Sequence, residues 1–126
     1  MNTTIKDNDK VSAVWQPEKA ITRLGGEKAL MIKLAVLFIR DSPNLMKAVQ
    51  AGINQRKYED SYVALHSLQG TSANFYASKF EAECANLQRE LKENSWGEAM
   101  IHFTRLTQHY KELDRELVIF TTEDNE

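Results

Sequence analysis

Apolar residues recur in steps of three and four along most of this chain, and strongly alternating runs of strand length are scarce. The clearest case is the last segment, where Trp96, Ala99, Phe103, Leu106, Tyr110, Leu113, Leu117 and Phe120 follow one another at that spacing. A period near 3.6 puts such residues on one face of an α-helix, and a near-heptad seam of this length needs other helices to cover it. Two prolines and five glycines in 126 residues leave long stretches unpunctuated. The chain is therefore expected to be all-α and, at this length, to form one domain around a single core.

The remaining segments carry weaker versions of the same pattern. A short helix is expected over QPEKAITRL, with Pro17 in its first turn and Gly25-Gly26 as its stop. From Glu27 to about Asp41, Leu30, Met31, Leu34, Leu37 and Phe38 lie at helical spacing with apolar residues nearly all round, which predicts the most buried helix. Asp41-Ser42-Pro43 predicts a break, with Ser42 as N-cap and Pro43 as the first residue of a stretch whose stripe is Leu45, Val49 and Ile53. Tyr58, Ser61, Leu65, Leu68, Ser72 and Phe75 predict a helix over about 58–75. Ser78-Lys79-Phe80-Glu81 matches a capping box and opens the stripe Phe80, Cys84, Leu87 and Leu91; Ser95-Trp96-Gly97-Glu98 repeats the box before the last helix. Four long helices, one short leading helix and connections of a few residues describe an antiparallel four-helix bundle. It is expected over residues 14–120, with the polar, aperiodic segments 1–13 and 121–126 as flexible ends.

Composition removes several classes of function. A formal charge of −2 gives no clustered excess of Lys and Arg for a phosphate backbone, so nucleic acid is not an expected partner. The single cysteine, Cys84, can form neither an internal disulfide nor a cysteine-based metal site. MNTTIKDNDK lacks the apolar core of a signal peptide, and the richest apolar run, ALMIKLAVLFI, contains Lys33 and falls short of the roughly 20 residues that span a bilayer. A cytoplasmic protein with no membrane contact is expected.

ALHSLQG, at 64–70, places a histidine one turn before a glycine inside an otherwise ordinary amphipathic helix. With about 100° of rotation per residue, His66 falls roughly 130° from the centre of the stripe that holds Leu65 and Leu68, which turns it toward solvent or a shallow groove. Its neighbours on the helix surface are Tyr62 and Val63 before it and Gln69 and Gly70 after it. Gly70 costs about 1 kcal/mol relative to alanine in a helix interior, and space beside the imidazole is a reason to accept that cost. Ser67, Thr71 and Ala73 keep the surroundings low, and Gln69 adds an amide donor. A free imidazole, with a reference pKa of about 6.5, is largely unprotonated and nucleophilic at neutral pH. No Ser, Cys or acidic residue lies within one turn on that face to suggest a triad or a paired general base.

VALHSLQGTSANFYASKFEAECANLQRELKENSW resembles the histidine-containing phosphotransfer (HPt) domain, whose usual pattern is a helix with a His-x-x-Lys-Gly core, small residues after it, a Gly-Ala turn and a second helix. Upstream, ITRLGGEKALMIKLAVLFIRDSPNLMKAV is similar to the same family in its Leu-Gly-Gly turn and in a phenylalanine late in the following helix. The resemblance covers about Trp15 to Trp96 and implies a four-helix bundle without a nucleotide site. It implies that His66 accepts a phosphoryl group from a receiver-domain aspartate, through its outward ring nitrogen, and passes it to another receiver. The protein is then a carrier rather than an enzyme, with no cofactor of its own and Mg²⁺ on the partner. The implied partners are the receiver domains of a hybrid sensor kinase and of response regulators, met by a free-standing monomer. Trp15, Ile21 and Leu24 are docking candidates by the same analogy. Two positions depart from the pattern. Gln69 stands at the usual lysine and can donate a hydrogen bond to a phosphoryl oxygen without neutralising its charge, and Tyr76 stands at the glycine before Ala77. The Gln69 departure motivates an alternative: an HPt-like helical module that binds receiver or kinase domains without being phosphorylated.

Other chemistry-bearing residues have plainer readings. His102 and His109 are seven apart on the last helix, too far for a shared metal without a third ligand, and read as surface or partly buried residues. Cys84 reads as core. Glu81, Glu83, Glu90 and Glu93 read as a solvated face rather than paired acids.

Overall fold

The computed structural model describes residues 14–123, so the expectations for 1–13 and 124–126 lie outside the described residues. A short helix α1 (Pro17–Arg23) leads into four long ones: α2 (Lys28–Asn54), α3 (Tyr58–Ser72), α4 (Ser78–Lys92) and α5 (Trp96–Glu123). A 3₁₀ turn, Ala73–Phe75, extends α3. Each long helix packs on two others in the cyclic order α2, α3, α4, α5, and the diagonal pairs barely meet. Three connections of three to five residues, read from these bounds, force successive long helices to run antiparallel. No strand occurs among the described residues.

The core is built from one stripe per helix. Met31, Ala35, Phe38, Met46, Val49 and Ile53 come from α2, Ala64, Leu65 and Leu68 from α3, Phe80, Cys84, Leu87 and Leu91 from α4, and Ala99, Phe103, Leu106, Leu113 and Leu117 from α5. Phe38 is an aromatic centre, with Phe75, Phe80 and Tyr110 rings at 5.5, 6.3 and 6.3 Å. At one end Trp15 stands edge-on to Phe75 at 6.0 Å and to Phe120 at 5.0 Å, tying the chain entry to the last turn of α5. Gly25 and Gly26, at φ +75° and +82°, end α1 as expected, in a conformation that side chains resist.

Four local expectations are corrected. The break at Asp41-Ser42-Pro43 does not occur: α2 runs straight through Pro43. Phe38, Ser42, Met46 and Val49 stay in phase on both sides of the proline, so one continuous helix buries the whole stripe. Pro43 itself is exposed and forfeits one backbone hydrogen bond. Ser42 is a polar member of the buried stripe rather than a cap, and shares a 2.9 Å hydrogen bond with the Tyr110 hydroxyl. That hydroxyl sits in a desolvated setting, and burial pushes the Tyr110 phenol above its ordinary range. The first half of α2 is not the most buried segment, because Leu30, Val36 and Leu37 remain exposed. The Ser78 hydroxyl makes no cap: α4 begins at Ser78 with Ala77 as N-cap, and the Glu81 carboxylate accepts the Ala77 backbone N–H. Finally, α5 continues past residue 120 to Glu123, with the Thr121 and Thr122 hydroxyls donating to the Val118 carbonyl at 2.9 and 2.8 Å.

The helices α2 and α3 come close together at Gly52 and Ser61, near the start of α3. A Cβ at Gly52 would run into the Ser61 hydroxyl and come within 2.7 Å of the Ser61 backbone nitrogen. Ser61 is fully buried there and donates to the Val49 carbonyl at 3.3 Å. In an open helical site Gly→Ala stabilises by up to about 1 kcal/mol. Gly52→Ala is expected to do the reverse and cost about 1–3 kcal/mol in urea or thermal unfolding, because backbone must move to admit one methyl group.

Candidate functional site

Helix α3 owes its rotation to what it buries. Ser61, Ala64, Leu65, Leu68 and Ser72 face the core, with Leu65 and Leu68 at zero exposure. The opposite side carries Val63, His66, Ser67, Gly70 and Thr71, all exposed. The imidazole lies where the phase of Leu65 and Leu68 put it.

His66 continues a stack of rings. Tyr58 and Tyr62 lie 5.5 Å apart at 21°, and Tyr62 and His66 lie 5.8 Å apart at 17°, so three rings at successive turns are nearly parallel. Helical side chains lean toward the N-terminus, which lays each ring over the turn before it. A side chain at position 70 would lean back over His66 in the same way. Gly70 has none, and a Cβ built there meets nothing within 4 Å. The stack therefore stops at His66, with one ring face on Tyr62 and open space on the side of Gly70.

The polar residues around this opening are folded back onto the helix. Thr71 donates to the Ser67 and Leu68 carbonyls at 3.0 and 3.2 Å, Ser72 to the Gln69 carbonyl at 3.1 Å, and Asn74 to the Thr71 carbonyl at 3.2 Å. These bonds keep the surface beyond His66 low. Gln69 is half-buried beside Gly70. Next to the stack, α3 and α4 leave an open cleft lined by Tyr62, Ala85, Gln88, Arg89 and Lys92. Its cations stand on α4, a helix that sequence reasoning did not connect with His66; the signal was their spacing on the outer face of that helix.

Tyr76, after the 3₁₀ turn, adopts φ 52° and ψ 47°, the left-handed conformation that suits glycine. A side chain there costs about 1–2 kcal/mol. The Tyr76 ring packs against the core and has the Lys19 ammonium 4.8 Å from its centroid. The Gln16 N–H donates to the Phe75 carbonyl at 3.1 Å, which seats α1 beside this turn. Of the three residues predicted to dock a partner, Trp15 is only 5% exposed and serves as core at the bundle end. Ile21 and Leu24 are half-buried and retain some accessible surface.

The other histidines and acids lie away from this opening. Glu83, expected on a solvated face, is buried: its carboxylate meets His102 Nδ1 at 3.2 Å and accepts from the Asn86 amide at 3.2 Å. Asn86 in turn accepts from Arg89 at 2.8 Å. Helix α5, bringing His102 across, turns that face inward. Glu81 is half-buried, and desolvation pushes its carboxyl above the usual range against the opposing Ala77 hydrogen bond. His109 Nδ1 is 3.7 Å from Glu112 Oε1. Among the described residues no three His, Cys, Asp or Glu side chains are grouped to hold a metal ion, and no helix is long and apolar enough to cross a membrane.

Comparison with known proteins adds independent information. The family model described as Hpt domain matches residues 33–116. An X-ray structure of a rice protein, described as a histidine-containing phosphotransfer protein, superposes with a TM-score of 0.76 at 13% identity, covering 95% of this chain and 88% of that one. At that identity the likeness shows the fold. No curated protein sequence gives a significant match.

Cys84 supplies a check on how tightly the core beneath this face is closed. Burial pushes its thiol up to about 12, and the nearby carboxylates of Glu81 and Glu83 add to the effect. Native protein at neutral pH is expected to react with a thiol reagent such as DTNB at least on the order of a hundredfold more slowly than free cysteine, and at the free rate once unfolded in urea.

Proposed function

Because the chain belongs to the Hpt domain family, whose match spans two thirds of it, we propose that His66 is the phosphoacceptor of a phosphorelay carrier. A phosphotransfer role is the property of the family; the residue and its partners are the proposal. The observation that carries it is an exposed imidazole, backed by a ring on one face and open toward Gly70, at the histidine position of the motif. The lone pair of an unprotonated ring nitrogen attacks the phosphorus of a receiver's aspartyl phosphate. An N–P bond forms, the P–O bond breaks with its electron pair going to the aspartate carboxylate, and the proton on the other ring nitrogen stays. The reverse of this step delivers the group to a second receiver. Phosphoryl transfer asks mainly for in-line access and charge stabilisation. His66 answers the first need, and Mg²⁺ on the receiver supplies much of the second.

The partners in this reading are the receiver domains of a hybrid kinase and of a response regulator, in the cytoplasm. They would approach the exposed face of α3, where Val63 is 64% exposed beside His66, with the accessible parts of Ile21 and Leu24 at the α1 end. Gln69 supports a second reading, in which the same face binds receivers and takes no phosphate.

Mixing the protein with a phosphorylated receiver domain and Mg²⁺ separates the two. Wild type is expected to acquire acid-labile, base-stable phosphate and His66→Gln none. Binding without label across a panel of receivers would favour the second reading. Gly70→Leu sharpens the test. It is expected to stabilise α3 by about 0.5–1 kcal/mol in thermal unfolding, yet to slow transfer at least about tenfold by leaning over the imidazole and displacing the incoming group.

A further inference from the structure

A surface histidine on a helix ordinarily samples several rotamers, and its flat ring turns about its last torsion with little resistance. Each orientation moves the nitrogens, so an attacking nitrogen is in line with phosphorus for only part of the time. His66 is placed differently. Its ring lies nearly parallel to Tyr62, at 5.8 Å and 17°. Tyr62 is itself held on its other side by Tyr58, at 5.5 Å and 21°, and it forms one wall of the cleft against α4. The opposite wall is braced by a chain of hydrogen bonds from His102 through Glu83 and Asn86 to Arg89. Tyr62 is half-buried while His66 is exposed. Tyr58 thus backs one face of the Tyr62 ring and the imidazole rests on the other.

We propose that Tyr62 is a positioning residue for phosphoryl transfer at His66, its ring holding the plane of the imidazole so that a ring nitrogen is presented outward. The proposal rests on His66 being the phosphoacceptor. The chemistry suits a stacked ring. The lone pair of the unprotonated ring nitrogen lies in the imidazole plane, so a contact over one face restrains the ring without covering the reacting direction. Gly70 leaves the other face free, so the stack guides the ring without enclosing it. Orientation of this kind acts on rate, because reacting groups held near the attack geometry need less ordering at the barrier. The interaction works through the ring and not through the phenol hydroxyl.

Three variants read this directly. Tyr62→Phe keeps the ring, Tyr62→Leu keeps apolar cover over the α4 cleft without it, and Tyr62→Ala removes both. Transfer from a phosphorylated receiver is expected to be within about twofold of wild type in Tyr62→Phe and about three- to tenfold slower in Tyr62→Leu and Tyr62→Ala, the range that a stacked pair is worth. In NMR spectra the imidazole carbon-bound protons of His66 are expected upfield in wild type and Tyr62→Phe, and relaxed toward free-histidine positions in the other two. Wild-type rates and unmoved His66 signals in Tyr62→Leu would overturn the proposal. So would a loss in Tyr62→Phe equal to that in Tyr62→Leu, which would make the hydroxyl the active group. A wild type that takes no phosphate from any receiver overturns the phosphoacceptor reading and this one with it, whereas a labelled wild type with indifferent variants overturns this one alone.

Discussion

The burial of Leu65 and Leu68 fixes the rotation of α3, and the face on which His66 stands follows from it. Both leucines have zero exposure, and each buried side chain of that size contributes about 1.5–3 kcal/mol. A rotation that brought the imidazole inward would lift both out of the core and desolvate a polar ring in their place. The energetic preference is large against any gain a surface residue could return. Position 66 is therefore a consequence of positions 65 and 68, and the neighbours that matter for chemistry, Tyr62 one turn back and Gly70 one turn on, are set by the same phase.

The rest of the bundle keeps that helix from shifting. The Gly52–Ser61 approach sets how near α2 can come to α3, and the rings of Phe38, Phe75, Phe80 and Tyr110 fill the space beyond. Trp15 and Phe120 close the end where α1 meets the 3₁₀ turn. Ser42 and Tyr110 satisfy each other across α2 and α5, which lets a polar residue sit in a buried stripe at little cost. A carrier that works by presenting a nucleophile to a larger partner needs this rigidity more than it needs a pocket. The open face around His66 is consistent with a partner that brings the phosphoryl group and its metal.

Much of this was legible in the sequence because it depends on local phase. The outward histidine, the core stripes of α4 and α5, the Gly25-Gly26 stop and the all-helical bundle follow from spacing alone. What spacing missed depends on contacts distant in the chain. Pro43 reads as a break until Tyr110 and the rest of the core show that Ser42 belongs inside. Glu83 reads as surface until α5 brings His102 over it. Trp15, a docking candidate by resemblance alone, is held in the core by Phe120, more than a hundred positions later. The Tyr62 stack lies between these cases. The four-residue spacing made the two rings neighbours, and only the structure shows them parallel. Tyr76 was marked by resemblance as standing in a glycine's place, and its positive φ gives the physical meaning of that mark.

In the proposed function, the chain's phosphoryl chemistry is confined to His66, the imidazole that the fold holds outward. The most direct measurement is the position of the phosphoryl group on wild-type protein after transfer from a receiver, found by proteolysis and fragmentation mass spectrometry under alkaline conditions that preserve phosphohistidine. Phosphate is expected on His66, with His102, engaged by Glu83, and His109 unmodified. Phosphate on His102 or His109, or on no histidine, would contradict the proposed function.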